Sequence, residues 1–162
     1  MRIVVTGGAG QLGTVVLARL AADKRVKSVV SLDLHAPLAA SRKIEPVVCD
    51  VQSPDVARHV AGADVVIHLA WIVTRVVERD AFWGANVAGS DRVVQASLDA
   101  GVKRFVFVSS CSVYGLVPGR TQALAEDGEK VDMPRFPYVA TKQEVERKLD
   151  ARSEEHTSEL QS

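Results

Sequence analysis

Tyr138 and Lys142 stand four residues apart in a stretch that reads as helix, so both side chains fall on one face. A free tyrosine has a pKa of about 10 and is no base at neutral pH, but a neighbouring ammonium stabilises its phenolate. Paired in this way, Tyr138 can take the proton of a substrate hydroxyl. Ser110 ends a predicted strand and can hydrogen-bond the same hydroxyl and the carbonyl oxygen that develops from it, which orients the reacting carbon. Taken alone, Tyr138 and Lys142 also fit the exposed first turn of an ordinary helix. Ser110 and a glycine-rich loop near the start of the chain favour chemistry.

That loop, Thr6-Gly7-Gly8-Ala9-Gly10-Gln11-Leu12-Gly13, follows the apolar run Ile3-Val4-Val5 and leads into Val15-Val16-Leu17-Ala18-Arg19-Leu20. The order is strand, tight turn, helix. Glycines at 7, 10 and 13 allow a sharp turn, close approach of a pyrophosphate and tight packing of helix on strand. The amides of the first helical turn, at Gln11, Leu12 and Gly13, face the phosphates. A second apolar run ends at Asp33, 20 residues past Gly13, where a carboxylate can accept both hydroxyls of an adenosine ribose. Its charge would repel a 2′-phosphate, and the nearest arginine, Arg42, lies nine residues on. The expected cofactor is therefore NAD rather than NADP.

The elements that must position these residues follow from the alternation of patterns. Strand-like runs recur at 2–6, 27–33, 45–50, 64–70 and 103–110, and helical patterns at 11–22, 54–61, 80–100 and 137–150. Ser53-Pro54 reads as a helix start and Gly101 as a helix stop. Such alternation predicts an α/β fold, a Rossmann-type doubly wound parallel sheet of order 3-2-1-4-5. The stretch 115–137, rich in Pro, Gly and charge, reads as a long functional loop over the carboxyl ends of the strands. The remaining cofactor contacts are expected at those strand ends, from Asp50, Val51, Leu69, Ala70 and Trp71. His68 fits a satisfied core histidine better than a catalytic one, and Trp71 and Trp83 fit packing or loop anchors better than ligand contacts.

Apolar residues make up 47% of the chain and charged residues 25%, with a formal net charge of zero, so neither nucleic acid nor a membrane surface is an expected partner. No run is long enough to span a bilayer, and Met1-Arg2-Ile3 opens a strand rather than a signal peptide, so a cytoplasmic location is expected. Cys49 and Cys111 have no metal-ligand spacing to any histidine; both read as free, buried thiols, and no metal site is expected.

Seven segments together resemble an extended short-chain dehydrogenase/reductase of the NAD-dependent epimerase/dehydratase family. They are the glycine loop, Asp33, Asp50-Val51, His68-Leu69-Ala70, Asn86-Val87-Ala88-Gly89-Ser90, Ser109-Ser110-Cys111-Ser112-Val113-Tyr114-Gly115 and Tyr138-Val139-Ala140-Thr141-Lys142. The resemblance implies that Ser110, Tyr138 and Lys142 correspond to the catalytic triad, that Tyr138 and Lys142 also contact the cofactor, and that Asn86 braces the site and touches it too. It implies as well a sugar-nucleotide substrate, a C-terminal substrate domain and a homodimer. The dehydratase branch typically carries an acidic pair where this chain has Cys111 and Ser112, so an epimerase is favoured over a dehydratase. An alcohol dehydrogenase or carbonyl reductase of the same superfamily is the alternative, and a non-catalytic dinucleotide-binding module is the alternative of another class.

Residues 152–162 break the helical apolar pattern and look like the in-frame translation of a sequencing-library adapter. On that reading 1–151 is the NAD-binding domain with its triad, truncated before the substrate domain. A chain ending there leaves an unpaired strand edge, and is expected to be marginally stable and to bind NAD weakly.

Overall fold

The computed structural model describes residues 1–38, 41–73, 78–115, 119, 121 and 123–159, with backbone alone for 154–159. The chain forms two compact units, Met1–Val108 and the part from Ser109 onward. In the first, β1 (Arg2–Thr6), β2 (Ser28–Asp33), β3 (Ile44–Val48), β4 (Val65–His68) and β5 (Arg104–Phe107) make one sheet of order β3-β2-β1-β4-β5. Every pairing is parallel, with Val4 opposite Val30 on one side and Val66 on the other. The expected order is thus the observed one.

Parallel strands joined by helical crossovers are covered on both faces, so they are apolar at every position rather than at alternate ones. Val4, Val30, Leu32 and Val66 pack one way, against Val56 and Val60 of α2 (Val56–Val60) and Val93 and Ala96 of α4 (Gly89–Asp99). Ile3, Val5, Val29 and Ile44 pack the other way, against Leu17 of α1 (Gln11–Ala22). β3 lies at the edge, exposed at Glu45, Pro46 and Val48. An edge position is where a proline, which brings no ladder N–H, is tolerated.

The helix expected over 80–100 is three segments: α3 (Arg79–Trp83), a π-helical turn (Gly84–Ala88) and α4. A π turn widens the helix by one residue, and apolar periodicity does not register it. The stop at Gly101 is as read: its φ is 63°, with Gly101 N–H bonded to the Leu98 carbonyl and Val102 N–H to that of Ser97. At the other junction α-helical bonding begins at Val56 rather than Pro54, although Ser53 Oγ does accept the Asp55 amide at 3.2 Å. Strands 3, 4 and 5 end two or three residues early, because the chain leaves the ladder there to shape the carboxyl-end rim.

In the second unit Ser110 caps a 3₁₀ turn (Cys111–Tyr114), and the long helix α5 (Pro137–Glu159) follows further on. The described part of the loop before α5 carries no helix or strand. Two expectations change here. The helix expected to end at 150 runs on to Glu159, since backbone bonding continues where the apolar pattern stops. Cys111, expected to be buried, is exposed, because it opens the 3₁₀ turn instead of closing a strand; Cys49 is buried as expected.

Among the described residues no helix is long and apolar enough to cross a membrane. Leu17 is fully buried in the α1 face, whereas Val15 on the same helix is exposed. Leu17→Ala should therefore cost about 3 kcal/mol, and Val15→Ala less than about 0.5, in urea unfolding of the full-length protein. Equal costs would refute this assignment of the helix face.

Candidate functional site

In an open parallel sheet, ligands bind where neighbouring crossovers leave in opposite directions, and here that point lies between β1 and β4. A cleft of about 450 Å³ opens there. Its wall includes Gly7 and Gly10 of the glycine loop, Asp33 at the end of β2, Asp50 and Val51 past β3, Leu69, Ala70 and Trp71 past β4, and Asn86. These nine expected residues come together on one surface.

The loop is tied down on all sides. Gly7 has φ 74° and rests against β4's exit, so a Cβ there would lie 2.5 Å from the Ala70 nitrogen. Gly13 is not on the cleft wall; a Cβ on it would run into the Gly7 carbonyl oxygen and come within 2.7 Å of Gly8 Cα, so its role is the packing of α1 under the turn. Gly10 differs, since a Cβ there would approach only the Gly7 carbonyl, at 3.3 Å. Gly10 is thus less closely packed than Gly7 or Gly13, and it lines the cleft. Gln11 and Leu12 are exposed on the first turn of α1 and lie off the wall. That helix has no side-chain cap and no acidic residue in its first turn, which suits an anion at its amino end.

Asp33 does more than the ribose reading requires. Its Oδ2 accepts the Ala9 amide at 2.9 Å, and its Oδ1 takes only a long contact of 3.4 Å from the His35 amide. One oxygen thus fixes the loop while the other remains a strong acceptor toward the cleft. Asn86 is a brace: its Oδ1 accepts the Ile72 amide at 2.8 Å and its Nδ2 donates to the Ile72 carbonyl at 3.0 Å. Cys49 also lines the wall, and burial pushes its thiol up, so it is held unreactive. Sequence reasoning missed Ala9, Leu34, His35, Gln52, Ile72, Ala81 and Ala85 on this wall. Adjacency to expected residues pointed to some of them; Ala81 and Ala85 gave no signal, since a small residue on a helix reads as neutral.

Ser110, Tyr138 and Lys142 all lie in the second unit. Ser110 Oγ accepts the Ser112 amide at 3.2 Å and the Ser112 hydroxyl at 2.9 Å, which leaves its own proton to donate. Gln143, buried beside Lys142 on α5, donates from Nε2 to the Val113 carbonyl at 2.7 Å and the Val131 carbonyl at 2.9 Å. This amide couples the helix bearing Tyr138 and Lys142 to the turn that Ser110 caps. Tyr138 is half-buried and Lys142 almost wholly buried. Burial pulls the Lys142 ammonium down to about 8, against the attraction of Glu146 one turn on. It remains mostly charged at neutral pH, close to losing its proton.

A parallel sheet with a glycine-lined cleft at its switch point defines a Rossmann-type domain. The chain belongs to the NAD dependent epimerase/dehydratase family, whose sequence profile matches residues 3–160. It is 30% identical over 160 residues to mouse dTDP-D-glucose 4,6-dehydratase, covering 90% of this chain and 44% of that protein. Among solved structures it is similar to MoeE5 in complex with UDP-glucose and NAD, at TM-score 0.77 and 28% identity over 91% of this chain and 47% of the other. It is also similar to UDP-N-acetylglucosamine 4-epimerase from Methanobrevibacter ruminantium M1, in complex with UDP-N-acetylmuramic acid, at TM-score 0.79 and 25% identity over 94% of this chain and 50% of that one. The chain spans under half the length of the mouse relative.

The buried lysine carries a stability cost that can be measured. With its folded value near 8 and its unfolded value near 10.5, the native state binds this proton less tightly. Stability from this group is lowest and flat below pH 8, and rises as pH climbs from about 8 to about 10.5, by roughly 3 kcal/mol. Lys142→Met should thus be more stable than wild type at pH 7, with the difference shrinking towards pH 10 in denaturant titrations. A difference independent of pH would contradict this account.

Proposed function

We propose that this chain is the NAD-binding and catalytic portion of an oxidoreductase that acts on a sugar nucleotide, with epimerisation as the favoured outcome. The observation that carries the reading is the cleft itself, where Asp33 presents a carboxylate oxygen beside a glycine loop and an uncapped helix start. Gly7, Gly10 and the amides of Gln11, Leu12 and Gly13 would hold the pyrophosphate, and Asp33 the adenosine ribose. Asp50, Val51, Leu69, Ala70 and Trp71 would wall the adenine and ribose. When bound, NAD supplies a hydride acceptor that can return the hydride to the same carbon.

The chain's own residues handle the proton. Tyr138 takes it from the substrate hydroxyl as the carbon–hydrogen bond is oxidised, and gives it back on reduction. Lys142 stabilises the phenolate and contacts the cofactor ribose. Ser110, already accepting two hydrogen bonds, donates its remaining proton to the substrate oxygen. Cys111 and Ser112 offer no carboxylic acid to protonate a leaving hydroxyl, which favours an epimerase over a dehydratase. The free thiols Cys49 and Cys111 suit the reducing cytoplasm, and a homodimer is the proposed assembly.

Incubating the full-length protein with NAD and UDP-glucose separates the outcomes. An epimerase yields the 4-epimer with no net NADH, a dehydrogenase accumulates NADH with product, and a dehydratase yields a keto sugar and water. Tyr138→Phe should lower turnover by at least about 10³ while changing the Kd for NAD by less than about threefold. Retained turnover would overturn the assignment of the base. Asp33→Ala should weaken NAD binding by about tenfold or more, since it removes a charged hydrogen bond to the ribose and frees the Ala9 amide.

A further inference from the structure

A chain of buried polar groups runs behind the cleft wall. His68 Nδ1 lies 2.6 Å from Thr6 Oγ1, and His68 Nε2 lies 2.8 Å from Ser90 Oγ. Thr6 Oγ1 also accepts the Ala70 amide at 3.2 Å, and Ser90 Oγ donates to the Asn86 carbonyl at 2.6 Å. Thr6, His68 and Ser90 are each at most 1% exposed, and none of them lines the cleft.

The two ends of this chain are backbone groups whose roles cannot change, and for a neutral ring the carbonyl end sets the protons between them. The Asn86 carbonyl can only accept, so the Ser90 hydroxyl proton is spent on it, and Nε2 of His68 must donate to Ser90. The Ala70 amide donates to Thr6 Oγ1, and with Nε2 carrying the proton of a neutral ring, Nδ1 is the acceptor to which Thr6 turns its own proton. A neutral imidazole with its proton on Nε2 satisfies the whole chain. The ring is held flat against Phe107, with centroids 6.0 Å apart and planes at 26°.

The segment leaving β4 hangs on this chain. Leu69 N–H bonds to the Thr6 carbonyl, Ala70 N–H to Thr6 Oγ1, and Ile72 through both backbone groups to Asn86. Gly7 in turn has no room for a side chain against Ala70. We propose that His68, fixed as the Nε2–H tautomer between Thr6 and Ser90, is a positioning residue for the cofactor cleft, acting through Ala70 and Asn86 rather than touching the ligand. The proposal rests on the NAD-binding reading above.

The isosteric pair at Thr6 separates hydrogen bonding from packing. Thr6→Val keeps the shape and removes the hydroxyl; Thr6→Ser keeps the hydroxyl and removes the methyl. In the full-length protein Thr6→Val should raise the Kd for NAD, read by fluorescence quenching, by about tenfold, and Thr6→Ser by less than about threefold. Amide exchange at Ala70 and Ile72 should accelerate in Thr6→Val and not in Thr6→Ser. The reverse order, or equal losses, would show a packing site and overturn the proposal. A second measurement needs no variant: ¹⁵N correlation spectra of the wild-type protein should show His68 protonated on Nε2 alone, and a proton on Nδ1 would refute the relay. Wild-type protein that binds no NAD would sink the cofactor reading, and the relay would then stand or fall on the tautomer and the amide exchange.

Discussion

The central strand β1 is under two demands at once, and the rest of the first unit follows from meeting both. It must be buried on both faces, which Ile3, Val4 and Val5 satisfy, and it must end in a turn that admits no side chain at Gly7 or Gly8. Its last residue, Thr6, joins the two regimes. The Thr6 carbonyl still serves the chain leaving β4, while its hydroxyl turns inward to the His68 chain. One residue further on, Gly7 is wedged against Ala70. The cleft therefore exists because β1 and β4 are locked together where their crossovers part.

Polar groups in such an interior are stabilising only when every donor and acceptor is matched. Thr6, His68, Ser90 and Asn86 meet that condition by running from one backbone amide to one backbone carbonyl. The π-helical turn over Gly84–Ala88 belongs to the same arrangement, because it carries the Asn86 amide that grips both backbone groups of Ile72. Local irregularity in the helix thus serves order in the cleft wall.

The second unit makes the opposite trade. Lys142 is buried with its charge, and the depression of its proton affinity measures what the fold gives up to hold it there. A lysine placed for stability would reach solvent. Gln143, its neighbour, stabilises instead, joining α5 to the backbone of the Ser110 turn and of the loop at Val131. Sacrifice and reinforcement thus stand side by side on one helix.

By itself the sequence determined the sheet order, the strand cores, α1 and the identity of nine cleft residues, because each rests on local rules: apolar runs, glycine spacing and the fixed handedness of crossovers. The same local rules carried α5 only to residue 150 and placed Cys111 in the core, where the backbone did otherwise. Tertiary structure alone decided that Asp33 holds Ala9, that Gly13 packs rather than lines, and that Asn86 closes on Ile72. It also decided the state of His68, whose partners lie 62 and 22 residues away along the chain. Hydrogen bonds over such separations leave no period in a sequence; they appear only when parallel strands bring β1, β4 and the helix after them to the same depth.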